Sequence, residues 1–104
     1  MTRIVVLFNL KDGVSAGDYE DWARSTDLPT VNALRSVDGF SVHRATALLG
    51  SDEAPPYRYV EIIDVADMDA FGEEVAGETM QRVAAEFQAL ADDPVFILTE
   101  PVDG

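Results

Sequence analysis

The stretch "YRYVEIIDV" (57–65) places a carboxylate, Glu61, in the middle of a run of aromatic and β-branched residues that reads as a strand. A side chain of this type is almost never buried without a partner or a purpose. On a strand, alternate side chains share a face, so Glu61 groups with Tyr57, Tyr59, Ile63 and Val65. If that face meets a helical layer, desolvation raises the Glu61 pKa into the range where a carboxyl can give and take protons. Tyr59, two residues away, would then donate a hydrogen bond and hold a phenolate or enolate oxygen. The plainer reading pairs Glu61 with Arg58 or Arg44, or leaves it exposed near a sheet edge.

His43 is the only histidine in the sequence. It titrates near neutrality without help, and its small strand neighbours Ser41, Ala45 and Ala47 leave room beside it. It is read as a second proton-transfer residue, against the alternative of an inert histidine at a subunit interface. Arg44 has the opposite parity and would neutralise Glu61 or an acidic ligand. Trp22 belongs to the buried stripe of a helix and would stack on a flat ligand if the cleft lies beneath it. Asp27 stands at a proline break, where it serves either the cleft mouth or the cap of the next segment. Asn9 ends a strand as a turn residue or a pocket amide. These four form the expected binding set.

The elements that must carry these residues follow from periodicity. "RIVVLFNL" (3–10) is a strand ended by Asp12-Gly13. Ser15 opens a helix with Asp18 three residues on, and Tyr19, Trp22, Ala23 and Thr26 form its apolar stripe. Pro29 is expected to kink or break that helix at Leu28, and Val31 and Leu34 follow. Asp38-Gly39 reads as a turn, 40–49 as strand 2, "GSDEAPP" (50–56) as a loop and 57–65 as strand 3. Asp67 caps a helix carrying Met68, Phe71 and Val75. Gly77 interrupts it. A further helix carries Met80, Val83, Phe87 and Leu90, Asp92-Asp93-Pro94 stops it, and 95–100 is strand 4.

The order is β-α-β-β-α-β, the split βαβ or ferredoxin-like arrangement, with a four-stranded antiparallel sheet in one domain over 1–104. Strands 1 and 4 are apolar on both parities, which calls for cover on both faces. Helices cover one face, so a second copy of the chain is the expected cover for the other, giving a homodimer.

Composition excludes several classes. The 104 residues include no cysteine, so disulfides, thiol nucleophiles and thiolate metal sites are out. The net charge of −13 and the lack of a basic stripe argue against nucleic acid. The scattered acids read as a solvated surface. No apolar run reaches the roughly 20 residues of a membrane helix, and no signal peptide is recognised, so no membrane partner and a cytoplasmic location are expected. No Gly-rich phosphate loop, zinc ligand set or hydrolase elbow is present; in "GVSAG" Ser15 is better explained as a helix cap. No cofactor and no metal are expected.

The stretches "VLFNLKDGVSAGDYEDWARSTDLPTVNALRSVDGFSVHRA", "YRYVEIIDV" and "AEFQALADDPVFILTE" together resemble the dimeric α+β barrel superfamily, and within it the REDY-like HapK family, named for a protein encoded with prodigiosin biosynthesis. The resemblance implies two sheets joined into a barrel, a cleft between the sheet and helices of each subunit, and a small-molecule pathway. Two branches of the superfamily fit poorly. EthD-like proteins often carry a histidine two residues before the proline after helix 1, where this sequence has Asp27. Haem-degrading members need a histidine ligand, and His43 lies on a strand. The expected function is a cofactor-independent enzyme acting on an aromatic, polyketide-like or pyrrole-like metabolite. Against it stand a non-catalytic carrier dimer and a regulatory dimer without a pocket.

Overall fold

The computed structural model describes residues 1–102. Its elements are β1 (Thr2–Leu10), α1 (Ala16–Trp22), a π turn (Ala23–Asp27), α2 (Leu28–Asn32), β2 (Val37–Arg44), β3 (Tyr59–Val65), α3 (Met68–Val75), α4 (Glu78–Leu90) and β4 (Ala91–Thr99). The strands form one antiparallel sheet in the order β2-β3-β1-β4. This is the expected ferredoxin-like β-α-β-β-α-β fold, with the helices on one face.

β1 shows why the sheet has two unlike faces. Ile4, Val6, Phe8 and Leu10 alternate into the helical layer and are buried, while Val5, Leu7 and Asn9 point the other way and are half-exposed. Tyr19 and Ala23 from the first helical segment and Val83 and Phe87 from α4 close over the buried set. Phe8 lies at the centre, with ring contacts to Tyr19, Tyr59 and Phe87 at centroid distances of 5.4, 5.5 and 5.0 Å. The caps form as the sequence implies. Ser15 Oγ accepts from the Asp18 N–H, and the Asp67 side chain accepts from the N–H groups of Asp69 and Ala70.

Pro29 does not break the helix. Leu28 keeps right-handed helical angles (φ −58°, ψ −51°), and its N–H reaches back five residues to the Ala23 carbonyl. Widening one turn to i→i−5 spacing accommodates a proline that has no N–H and would otherwise crowd the preceding turn. The helix therefore continues from Ala16 to Asn32, and Asp27 sits inside it rather than at an opening.

Strand boundaries also differ. β2 runs over Val37–Arg44, because Asp38-Gly39 forms a register irregularity within the strand instead of a turn. Beyond it, Ala45 donates to Arg58 O, and the ladder then ends opposite Pro55-Pro56. β3 correspondingly starts at Tyr59. β4 begins at Ala91, and Asp92-Asp93-Pro94 lies in the strand as a bulge in the pairing with Leu7 and Asn9, with Asp93 at φ 46°.

Candidate functional site

Register assigns each candidate to a face. Cross-strand partners lie in rows, and one row reads Val42–Glu61–Val6–Phe96. Val6 is fully buried under the helices, so Glu61 is on the inner face. It is only 4% exposed. The Tyr19 hydroxyl donates to Glu61 Oε2 at 3.1 Å. Asp27, 5% exposed, comes down from the π turn and shares a hydrogen bond with Glu61.

Two carboxyl groups in contact away from water cannot both ionise cheaply. Burial pushes Glu61 far above the usual carboxylate range, and the neighbouring Asp27 pushes it further; the bond from Tyr19 opposes the rise. Burial raises Asp27 as well, while its bond with Glu61 holds it lower. The pair therefore shares a proton at neutral pH, with Asp27 the readier to ionise and Glu61 the readier to carry the proton. Burial and the adjoining Glu61 drive the Tyr19 phenol up, which keeps it a donor.

Asp27 and Glu61 line one cavity of about 320 Å³ between the helices and the inner sheet face. Its other walls are mostly apolar, with Phe40, Phe71, Phe87 and Phe96 contributing rings and Gln81 and Gln88 contributing amides. A flat organic molecule would lie against those rings with its polar atom at the carboxyl pair.

The remaining candidates do not reach this cavity. His43 pairs with Val60 in the row His43–Val60–Leu7–Val95, so its side chain leaves from the outer face; Ser41 Oγ lies 2.9 Å from His43 Nε2. Tyr59 shares the inner face with Glu61 but donates to Glu20 Oε2 at 2.8 Å. Arg44 does not neutralise Glu61. Its guanidinium grips both oxygens of Glu20, with Nε to Oε2 at 2.8 Å. Arg44, Tyr59 and His43 instead border a separate surface groove of about 310 Å³ along β2, with Glu20 and Arg24. Trp22 Nε1 donates to Glu86 Oε1 at 2.8 Å, and the ring packs on Phe87, so it belongs to the core and not to a ligand wall. Asn9 latches the long loop, accepting from the Arg58 N–H at 2.9 Å and donating to Pro56 O at 3.1 Å. Asp27 makes no side-chain cap bond.

Tyr19, which bonds Glu61, is absent from the site residues expected from the sequence. Tyr19, Ala23 and Asp27 recur every four residues along one helical face. Had the helix been read as continuous through Pro29, that spacing would have put a tyrosine and an acid on the face that meets Glu61.

No group of three or more His, Cys, Asp or Glu residues arranged to hold a metal ion occurs among the described residues. Nor is any helix among them long and apolar enough to cross a membrane.

Comparison with solved structures gives the same fold throughout. HapK from Hahella chejuensis is 29% identical, with a TM-score of 0.77 over 100% of this chain and 95% of its own. An Arabidopsis thaliana protein is 19% identical, with a TM-score of 0.82 over 100% of this chain and 98% of its own. SnoaB from Streptomyces nogalater, a cofactor-independent oxygenase, is 18% identical, with a TM-score of 0.74 over 99% of this chain and 94% of its own. No curated protein sequence matches the chain. The family profile described as REDY-like protein HapK matches residues 2–102, and the chain belongs to that family.

Proposed function

We propose that this protein binds an apolar, aromatic-sized metabolite in the cleft between sheet and helices and catalyses a proton transfer on it without a cofactor. The observation that carries this reading is the placement of Asp27 and Glu61, both buried, on one apolar cavity. A carboxyl pair that shares one proton holds an acid and a base side by side, so the ionised member accepts a proton while the protonated member donates one. In this reading Tyr19 is a positioning residue that keeps the Glu61 carboxyl turned toward the cavity. Glu61 keeps the role expected of it from sequence, Asp27 takes the place of His43, and Tyr19 that of Tyr59. SnoaB, a cofactor-independent oxygenase, has this fold.

The test begins with the pair itself. Carboxyl carbon NMR of the Asp- and Glu-labelled protein should show two coupled titrations well above the ordinary range, which merge into one when Asp27→Asn removes a partner. Two independent, ordinary titrations would end the assignment. A carrier with the same cleft binds but does not turn over. Aromatic, polyketide-like and pyrrole-like ligands that bind should therefore exchange carbon-bound hydrogen for deuterium in D₂O with the wild type and not with Glu61→Gln. Binding without exchange favours the carrier.

We further infer a homodimer packed through the outer sheet face, consistent with a cytoplasmic small-molecule protein. The rows Ser41–Ile62–Val5–Ile97 and His43–Val60–Leu7–Val95 put six aliphatic side chains on that face, and Ile97 and Val95 are 41% and 38% exposed. Ile62→Lys should halve the mass seen by sedimentation; an already monomeric wild type would refute the dimer.

A further inference from the structure

We propose that the cleft selects a cationic ligand: an organic ammonium, or a protonated nitrogen heterocycle, seated with its charge against Asp27 and Glu61 and its carbon skeleton among the phenylalanine rings. The proposal rests on the acid–base cleft described above and names the class of molecule that fits it.

The composition of the cavity wall carries the argument. Among the described residues, the only charged side chains on it are Asp27 and Glu61, and no arginine, lysine or histidine lines it. Arg44 and Arg24, which flank the neighbouring groove, are committed to Glu20. Apart from the bond with Glu61, Asp27 receives no side-chain or cap hydrogen bond, although it is 95% removed from solvent. The aromatic residues on the wall are Phe40, Phe71, Phe87 and Phe96, and Phe offers a ring face with no polar group to donate or accept. Ring faces attract cations, most strongly where water is excluded. Met80 adds a polarisable thioether on the same wall.

These features rank three ligand types of equal shape. An anion would meet a carboxyl pair with no compensating positive charge. A neutral molecule gains the apolar burial and one hydrogen bond. A cation gains the burial, the ring faces and a charge-assisted bond, and it supplies the counter-charge that the pair lacks. When the cation docks, the shared proton leaves the pair for solvent and the ligand nitrogen takes its place between two carboxylates. Binding thus releases a proton and tightens as pH rises, until the ligand itself loses its charge.

Calorimetry with 1-naphthylmethylammonium, 1-naphthalenemethanol and 1-naphthoate at pH 7, in two buffers of different ionisation heat, separates the possibilities. The ammonium should bind at least tenfold tighter than the alcohol, with net proton release, and the naphthoate should not bind. In the Asp27→Asn, Glu61→Gln double variant the preference should vanish, with the alcohol binding as well as the ammonium. Equal or tighter binding of the alcohol by the wild type overturns the cationic class and leaves the acid–base cleft standing. A preference that persists in the double variant marks attraction to the acidic surface and also overturns the proposal. If none of the three binds, the class fails; the cleft reading fails with it only if the carboxyl titrations are also ordinary.

Discussion

Two glutamates in this molecule each accept a hydrogen bond from a tyrosine, and their chemistry runs in opposite directions. Glu20 accepts from Tyr59 at 2.8 Å and sits between Arg44 and Arg24 at the rim of the sheet. The Arg44 bonds, then the Tyr59 bond, hold it down at about 2. Glu61 accepts from Tyr19 at 3.1 Å, and its other partner is Asp27. Burial pushes it up. The tyrosine is common to both, so the difference comes from burial and from the sign of the second neighbour. An acid ringed by cations is fixed as an anion and stabilises the fold. An acid ringed by apolar groups and another acid costs stability and stays able to exchange protons, which is the usual signature of a site held for a ligand.

The largest expected effect follows from that cost. Asp27 and Glu61 have folded pKa values above their unfolded ones, so the folded protein binds more protons than the unfolded chain between those values. This pair's contribution to stability is therefore fully present below the unfolded pKa values and is lost as pH rises through the raised ones. One proton's difference amounts to roughly 1.4 kcal/mol per pH unit. Urea denaturation should show stability falling from pH 5.5 to pH 8, by on the order of 3 kcal/mol if one proton is lost across the interval. Glu20, Asp64 and Glu74 are lowered and contribute in the opposite sense, but only below about pH 4.5, as their unfolded forms protonate. Glu61→Gln keeps the shape and removes one of the two raised titrations, so the variant should be more stable than the wild type at pH 8 and fall less steeply over the interval, with the remaining slope belonging to Asp27. A wild type already flat from pH 5.5 to 8 would erase the contrast between the two glutamates.

How much of this was legible in the sequence differs between the same two sites. The element order follows from period-2 and period-3.6 patterns, which report burial directly, but a single acid in a strand reads equally as buried or as exposed near an edge, and register decides for Glu61. Partners are harder, because they are set by register and by the pitch of one helix. The parity of Tyr59 puts it on the face of Glu61, yet a shared face does not decide which acid a hydroxyl reaches, and Glu20 from α1 stands nearer its tip. His43 lay one residue out of phase with Val42, and on a strand one residue is the whole difference between cleft and outer face. Asp27 reads as a cap or a cleft-mouth residue because proline usually ends a helix. The single i→i−5 bond from Leu28 to Ala23 that keeps the helix running leaves no mark in a hydrophobicity pattern. The long loop was legible, but its latch to Asn9 was not, since an amide at a strand end says nothing about which distant backbone it will hold.

The two tyrosines give the finest test, because Tyr→Phe removes one oxygen from each site and little else. At Tyr19 the lost hydroxyl is buried, no water replaces it, and Glu61 keeps only Asp27 as a partner. The cost at pH 8, where the carboxylate most needs a donor, should be roughly 1–3 kcal/mol. At lower pH it should shrink toward the ordinary value of about 1 kcal/mol, since a protonated carboxyl depends on the bond less. Removing a bond that favours the anion also moves Glu61 further up, so the decline of stability should run on to higher pH. At Tyr59 the ring is buried but its hydroxyl lies at the wet rim, where Arg44, Arg24 and water still serve Glu20. Tyr59→Phe should therefore cost below about 1 kcal/mol and leave the profile between pH 5.5 and 8 unchanged. Equal losses, both independent of pH, would mean that Glu61 is hydrated like Glu20 and that the two sites differ only in their neighbours' names.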